Sequence, residues 1–304
     1  MRQISMLLCA LLLTGCQVHT GAATAPATLY DFTLTDDRGQ SLSAATAAER
    51  LAGMDVIMVG ELHGHPGVHR FQATLLAALL EQPEPLALAM EQFTRNHQAE
   101  LNAYLSGKLG EDAFIEQAGA WPSYRHDYRP LIELAKSAGI DVIAANAPRH
   151  IVRCIGRQGP GYLDKLPATE RGWVAERLTL DEDEYKSRFM NTRFHGHSPD
   201  ERQFAAQTAW DDTMAESMAA YLAEHPGHRV MLTVGRFHIA DGLGTAQRLK
   251  TRMPALNIAL IYPSLSGETA PEAPLWTLKV QALPAPRLDG EPFPAIKMET
   301  PKCL

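Results

Sequence analysis

Short apolar runs recur along the chain and are separated by longer stretches in which apolar residues return at helical spacing. Runs of apolar, partly β-branched residues predict buried strands at 55–59, 86–90, 141–145, 229–234 and 257–261, with an edge strand at 275–280. Between the first two runs, Phe71, Leu75, Leu76 and Leu79 repeat at helical spacing and predict a helix over 69–81. Another helix is predicted from about 244 to 253.

This alternation predicts an α/β fold with a mostly parallel central sheet flanked by helices. Residues 29–34 and 40–42 predict a small hairpin, and Ser43 is placed to cap a helix that runs to about Leu51. Two long stretches, 94–138 and 147–225, lack convincing strands. They predict helical insertions, the first broken at Trp121-Pro122, that form a lid or subdomain over the carboxyl edge of the sheet.

The N-terminus has the pattern of a secretory signal. Arg2 precedes an apolar run over 4–13, which is too short to span a bilayer as a mature helix. The run ends in Leu-Thr-Gly-Cys, which resembles a bacterial lipobox with Cys16 as the lipid-modified residue; the alternative is an ordinary signal peptide with an incidental cysteine. Gln17, in place of Asp, indicates by the same resemblance the outer membrane of a Gram-negative bacterium.

These observations divide the 304 residues into a signal peptide over 1–15, a flexible tether over 16–28 and a folded domain over 29–304. The net charge of −7, without a cluster of Lys or Arg, argues against nucleic-acid binding. In an oxidising compartment, Cys154 and Cys303 either pair or remain as two free thiols.

One short motif, Gly-x-x-His, occurs twice, each time directly after a predicted strand. The copies are Gly60-Glu61-Leu62-His63 and Gly235-Arg236-Phe237-His238. Two other predicted strands deliver Glu91 and Asn146. Ligands bind at the carboxyl edge of open α/β sheets, so Glu61, His63, Glu91, Asn146 and His238 are predicted to converge on one site there.

Other histidines and aromatic residues leave alternatives open. His65 and His69 extend the first motif to H-x-H-x-x-x-H, and imidazole suits Zn, Mn, Fe or haem iron, but both can equally be solvent-facing. His195 and His197 are predicted to lie in a surface loop. The aromatic stretch over 121–128 is either a ligand wall or a plug between helices. The chain contains no G-x-S-x-G, H-E-x-x-H or P-loop motif.

Several motifs in order resemble the ChaN-like family of haem-binding lipoproteins. The resemblance covers roughly residues 50–250 and rests on the two Gly-x-x-His copies, on Ala89-Met90-Glu91-Gln92-Phe93, on Trp121…Tyr124…Tyr128, on Ala144-Ala145-Asn146-Ala147-Pro148 and on Gln207-x-x-Trp210-Asp211-Asp212. It implies an iron-regulated protein of haem or iron uptake, with a parallel α/β sheet, a helical subdomain, and haem bound by a tyrosine in a dimer.

On this resemblance, Tyr124 and Tyr128 are the expected phenolate ligands of haem iron, and His63, His238 and Phe237 are expected to contribute to the haem site. Phe93 and Phe194 are further candidates for its walls, although core packing also explains them. The expected partners are haem, the membrane through the N-terminal lipid, an outer-membrane haem receptor and a second copy of the chain.

The wider superfamily resembles Tiki proteases and erythromycin esterases, and this implies an alternative of a different class. In it, His63, His238 and Glu91 hold a divalent Mn, Co or Zn ion and Glu61 or Glu91 activates water, so the protein is a metallohydrolase. The second motif departs from the expected ChaN pattern, because Arg236 and Phe237 stand where small or polar residues are commoner. The binding protein is favoured over the enzyme. A third interpretation is a polar cluster with only a structural role.

Overall fold

The structure is a computed structural model that describes residues 26–193, 198–268, 276–288, 290–291 and 302–304. An eight-stranded sheet lies at its centre, with the strand order β2-β1-β8-β7-β3-β6-β4-β5. The strands are β1 (Phe32–Thr35), β2 (Ser41–Leu42), β3 (Val56–Glu61), β4 (Leu86–Thr94), β5 (Val142–Asn146), β6 (Arg229–Gly235), β7 (Ile258–Leu265) and β8 (Trp276–Val280).

Strand pairing brings the carboxyl ends of six strands to one edge of the sheet. The central strand β3 pairs in parallel with β6 and β7, β4 pairs in parallel with β6 and β5, and β8 is parallel to β7. The β1–β2 hairpin continues the sheet antiparallel to β8. The predicted α/β fold with a mostly parallel sheet is thus confirmed.

Helices cover both faces of this sheet. They are α1 (Ala44–Arg50), α2 (Pro66–Leu80), α3 (Gln98–Leu105), α4 (Glu111–Gln117), α5 (Tyr124–Asp127), α6 (Arg129–Ala138), α7 (Arg149–Gln158), α8 (Ala168–Arg171), α9 (Glu184–Asn191), α10 (Glu201–Glu224) and α11 (Thr245–Arg252). Short 3-10 turns lie at Arg95–His97, Pro160–Lys165, Arg236–His238 and Ala240–Gly242. No helix in the described ranges is long and apolar enough to cross a membrane.

Alternation along the buried strands divides the core into two layers. Successive side chains of a strand point to opposite faces. On β3, Ile57 and Val59 pack with the helices of one face, which include α2 and α6, whereas Val56 and Met58 pack with α10 and α11 on the other. A run of consecutive apolar residues therefore fills both layers, as a parallel sheet covered on both sides requires.

The two long helical stretches occupy different places. Helices α3–α6 pack into the core layer formed by α2 and one face of the sheet, and Trp121 lies at the break between α4 and α5. Helices α7 and α10 and the turn between α7 and α8 form a separate apolar cluster around Ile151 and Ala209. The first stretch is therefore part of the main body and only the second forms a helical cluster of its own.

Three element boundaries differ from the predicted ones for identifiable reasons. Strand β4 continues past residue 90 to Thr94, so Glu91 lies within a strand; an irregular register between Met90 and Thr94 accommodates it. Strand β7 extends to Leu265 because β8 pairs with its second half. Helix α2 starts at Pro66 and is capped by His65, whose Nδ1 accepts from the Gly67 backbone N–H. Ser43 caps α1 as predicted.

A disulfide joins Cys154 on α7 to Cys303 near the C-terminus. Of the two alternatives that the sequence left open, the structure shows pairing. Cys154 is buried in the apolar cluster of α7 and α10, and Cys303 packs against that cluster, so the bond fixes the end of the chain to the helices.

Because a cross-link over 149 positions restricts the unfolded chain, Cys303→Ser should lower the free energy of unfolding by about 2–4 kcal/mol. Urea unfolding followed by circular dichroism measures this loss. Adding a reductant should lower the free energy of unfolding of the wild-type protein by a similar amount and leave that of the variant unchanged. Equal stability of the variant and the oxidised wild-type protein would contradict the prediction.

Candidate functional site

A cavity of about 450 Å³ lies at the carboxyl ends of the central strands. Its polar lining consists of His63, Glu91, Thr94, Asn146, Arg149 and His238, and its apolar lining of Trp121, Pro122, Ala147 and Trp210. Four of the five strand-end residues predicted to converge therefore do so. The fifth, Glu61, is buried next to His63 and does not line the cavity.

Both Gly-x-x-His motifs need glycine at their first position, because atoms of neighbouring residues lie too close to leave room for a Cβ. A Cβ at Gly235 would lie 3.2 Å from His63 Nε2 and 3.5 Å from a Glu91 oxygen, and a Cβ at Gly60 would lie 2.8 Å from Pro263 Cδ. A larger residue at position 235 would push against His63 and Glu91 of the site, and one at position 60 would push against the neighbouring strand β7. The motif thus combines a histidine at the cavity with a glycine that makes room for the other strand's side chains.

Glu61, the last residue of β3, is the buried centre of a hydrogen-bond network. One carboxylate oxygen accepts from His63 Nδ1 at 2.7 Å, from the Tyr128 hydroxyl at 2.8 Å and from Gln92 Nε2 at 3.1 Å. The other oxygen accepts from Gln72 Nε2 at 2.9 Å. Burial by itself would raise the pKa of Glu61, but the His63 hydrogen bond and the nearby imidazoles outweigh it and lower the pKa. Glu61 is therefore held as a carboxylate.

His63 is oriented by this carboxylate and remains accessible. Its Nδ1–H donates to Glu61, and its side chain is 52% exposed. The Trp121 ring packs edge-on against it, with ring centroids 5.2 Å apart. The hydrogen bond to Glu61 is the main cause that raises the pKa of His63. Because Nδ1 is engaged, Nε2 is the ring nitrogen left to contact a ligand in the cavity.

His238 follows β6, the strand next to β3, and has a similar arrangement, but it is much more buried than His63. Its Nδ1–H donates to Asp211 at 2.8 Å, and Asp211 also accepts from Thr245 at 2.7 Å and from Tyr185 at 2.6 Å. Burial by itself would lower the pKa of His238, but the attraction of the Asp211 carboxylate and their hydrogen bond raise it to about 9. His238 therefore carries a positive charge at neutral pH, 3.8 Å from Glu91.

Glu91 and Asn146 connect neighbouring strands at the cavity. A Glu91 oxygen accepts from the Gly235 backbone N–H at 2.6 Å, which ties β4 to the end of β6. The Asn146 side-chain N–H donates to the Glu91 backbone carbonyl at 3.1 Å, and its oxygen accepts from the Ala147 N–H. Both residues line the cavity and also hold its rim in place.

The histidines that extend the first motif lie away from the cavity. His65 is buried; it caps α2 through Nδ1 and donates from Nε2 to the Gln281 carbonyl at 2.7 Å. His69 accepts from the Gly64 backbone N–H at Nε2 and donates from Nδ1 to Gln72. The structure thus corrects both earlier alternatives for these two residues, because they are neither cavity ligands nor solvent-facing but complete the hydrogen bonds of the loop before α2.

Both tyrosines that the family resemblance suggested as haem ligands are buried in the core. Tyr128 and Tyr124 are each 1% exposed, and neither lines the cavity. Burial and then the charge of Glu61 raise the pKa of Tyr128, while burial raises that of Tyr124, whose ring packs against Phe93 and Phe114. In this conformation neither phenol is accessible to a haem iron. A phenolate ligand therefore stays a prediction, and it requires a rearrangement that exposes one of these tyrosines.

The apolar walls come from other residues than the predicted phenylalanines. Phe237 packs against Tyr185 and Phe189, and Phe93 packs against Phe114 in the core, so neither lines the cavity. Trp121 and Trp210 take that place. Phe194, His195 and His197 lie outside the described residues.

The divalent-metal alternative finds little support in the positions of the donors. No group of three or more His, Cys, Asp or Glu side chains in the described parts of the chain is arranged to hold a metal ion. Of the predicted ligands, His238 is held as a cation between Asp211 and Glu91, and a Glu91 oxygen already accepts from the Gly235 backbone N–H.

Sequence reasoning missed three contributors to the site: Asp211, Trp210 and Arg149. Trp210 and Asp211 lie in the Gln207-x-x-Trp210-Asp211-Asp212 motif of the family resemblance, and Gln207 and Asp211, spaced i,i+4 within α10, share one helix face. A capping box at Asp200 and Gln203 fixes where that helix starts. Nothing in the sequence shows that this face meets the strand bearing His238.

The Asp211–His238 pair should make stability depend on pH. The pKa of His238 is about 9 in the fold and about 6.5 in an unfolded chain, so its contribution is complete below pH 6.5 and is lost as the pH rises through 9. The free energy of unfolding should therefore fall by about 2–3 kcal/mol between pH 6.5 and 9.5 through this group. His238→Gln should remove that part of the slope, whereas the exposed His126→Gln should keep it. Urea unfolding at several pH values measures this dependence. The same change of unfolding free energy with pH in the wild-type protein, His238→Gln and His126→Gln would refute the assignment.

Comparison with known proteins places this arrangement in a family. Residues 47–249 match the family described as "Haem-binding uptake, Tiki superfamily, ChaN". The fold is similar to that of ChaN of Campylobacter jejuni, a structure described as showing cofacial haem binding, with a TM-score of 0.65 and 17% identity over 83% of this chain and 98% of that one. A mutant of the erythromycin esterase EreC in its open conformation matches with a TM-score of 0.49 and 13% identity, over 84% of each chain.

A curated plant protein also shares part of the sequence. The chloroplastic Protein RETICULATA-RELATED 5 of Arabidopsis thaliana is 22% identical over 187 residues, which is 58% of this chain and 25% of that protein. The chain thus spans about a quarter of the length of that relative. The family match covers well over half of the chain and agrees with the motifs from which the resemblance was first inferred. This protein belongs to the ChaN-like haem-binding uptake family of the Tiki superfamily.

Proposed function

We propose that this protein binds haem in the cavity at the carboxyl edge of the sheet, and that His63 would hold the iron. The observation that carries the proposal is the state of His63, whose ring is accessible in the cavity while its Nδ1 is fixed to a buried carboxylate. Histidine ligands of metals commonly donate their second ring nitrogen in this way, which orients the ring and raises its basicity.

The other residues of the cavity fit a tetrapyrrole. A porphyrin is a flat, apolar ring system with charged carboxylates on one side. Trp121, Pro122 and Trp210 provide apolar and aromatic surface, and Arg149 provides a positive charge. Bound haem would supply a redox-active iron, and the chain would hold the ring, exclude water from its faces and fix the imidazole.

His63 is a better ligand than the second histidine of the site. The side chain of His238 is only 9% exposed, and its imidazole is held as a cation between Asp211 and Glu91. A protonated, buried imidazole has no free lone pair for iron. We assign to His238 the role of fixing the Glu91 side of the cavity.

Haemin titration of the purified protein tests the proposal. A saturable Soret shift is expected for the wild-type protein, with at least a tenfold weaker affinity in His63→Ala because the axial bond is lost. His126→Ala is the matched control, since His126 is exposed and lies outside the cavity, and it should bind as the wild-type protein does.

Three results would overturn this assignment. Absence of a saturable signal in the wild-type protein would refute haem binding at this site. Full affinity in His63→Ala, with loss of the signal in Tyr128→Phe or Tyr124→Phe, would move the axial ligand to a phenol. Stoichiometric Mn, Co or Zn binding lost in His63→Ala, without haem binding, would instead favour the metallohydrolase.

We further propose that the protein is a lipoprotein of the Gram-negative outer membrane that takes part in haem or iron acquisition. The lipobox-like Leu-Thr-Gly-Cys, the Gln that follows it and the tether support this placement. A haem carrier fixed to the membrane by one lipid-modified residue would hold its ligand near an outer-membrane haem receptor. Pairing of two copies on haem binding belongs to the same proposal.

Metabolic labelling with palmitate tests the anchor. The full chain expressed in a Gram-negative host should incorporate label and fractionate with the outer membrane, whereas Cys16→Ser should lose the label and leave the membrane fraction. Cys9→Ser, which changes a cysteine in the predicted signal segment, should keep both properties. Unlabelled wild-type protein would refute lipidation.

A further inference from the structure

A second recess lies beside the cavity and shares part of its lining. It has a volume of about 300 Å³ and shares Thr94, Trp121, Pro122 and Arg149 with the cavity that contains His63. The two spaces are therefore neighbouring parts of one cleft, and the Arg149 side chain borders both. A ligand larger than the first cavity has this recess as its direct continuation.

The recess differs from the first cavity in that its described lining contains no acidic side chain. Its remaining polar lining consists of Gln92, Asn96, His97 and His150, and none of the described residues that line it carries a carboxylate. The chain as a whole has a net charge of −7, whereas the described lining of this recess contains the Arg149 guanidinium and no acidic side chain. The local chemistry therefore favours an anionic group in the recess.

Arg149 borders the cleft and has no side-chain partner in the described part of the chain, unlike other arginines near this end of the fold. Arg95 pairs with Glu216, Arg129 with Glu111, and Arg125 with Glu111 and Asp112. Arg149, by contrast, is exposed and makes no ion pair or hydrogen bond with any described residue. A guanidinium that borders a cleft and is not engaged within the protein is available to a carboxylate of a ligand, which it can bind through two N–H groups.

We propose that Arg149 and this polar recess bind the carboxylates of the tetrapyrrole, and thereby select porphyrins that carry free carboxylates. The inference rests on the proposed function, because it assumes that the ring occupies the cavity with its iron at His63. Trp121 and Trp210 would hold the apolar ring system, and Arg149 would bind its carboxylates. His97 and His150 line the same recess and add hydrogen-bond donors to it.

The test compares haemin with haemin dimethyl ester, which has the same ring and iron but no free carboxylate. The wild-type protein should bind haemin about five- to tenfold more tightly than the diester, as expected for a partly exposed charge-assisted contact. Arg149→Ala should lose this preference by weakening haemin binding alone, and Arg149→Lys should retain part of it. The matched control is Arg157→Ala on the same helix, which removes an exposed arginine that lines neither space.

The outcomes separate this inference from the function on which it rests. Haemin that binds wild-type protein and Arg149→Ala with equal affinity would refute the role of Arg149 while leaving haem binding intact. An equal loss for haemin and the diester would also refute it, because the effect would then not depend on carboxylates. Absence of a saturable Soret shift in the wild-type protein would instead refute the proposed function. An equal loss of haemin affinity in Arg157→Ala would also refute the role of Arg149, because the effect would then come from the net charge of the protein and not from the position of Arg149.

Discussion

The site depends on one buried carboxylate, that of Glu61, at the end of the central strand. An isolated charge in such a place costs several kcal/mol, so it is stable only when donors surround it. Four side chains from different elements supply them: His63 after β3, Gln72 from α2, Gln92 from β4 and Tyr128 before α6. Satisfying this carboxylate therefore fixes the relative positions of the elements and orients the histidine of the cavity at the same time.

A second buried carboxylate, Asp211, acts on the opposite side in a similar way but with a different result. Both histidines of the Gly-x-x-His motifs donate Nδ1–H to a buried carboxylate. One ring is half exposed and can contact a ligand, whereas the other is enclosed and held as a cation against Glu91. Burial, rather than the sequence motif, distinguishes a ligand from a positioning residue here.

The aromatic residues show the same division between the core and the cavity. Tyr124, Tyr128, Phe93 and Phe114 fill the layer between the sheet and the helices α3–α6, while Trp121 at the break between α4 and α5 reaches the cavity. From the sequence, this stretch was compatible with both a plug and a ligand wall, and it provides both. Trp121, directly before Pro122, packs against Tyr128 of this layer and also lines the cavity.

The sequence by itself determined the sheet, the strand ends that meet at one edge and the family, because buried parallel strands are continuous apolar runs and the motifs follow them directly. It also limited the candidate site residues to a few polar side chains at strand ends. Four of them line one cavity: His63, Glu91, Asn146 and His238. Only the tertiary structure decided which histidine is accessible, that His65 and His69 bond the loop before α2, and that Asp211, Trp210 and Arg149 join the site. These properties depend on the exposure of individual polar side chains and on contacts between elements distant in sequence, and local periodicity specifies neither.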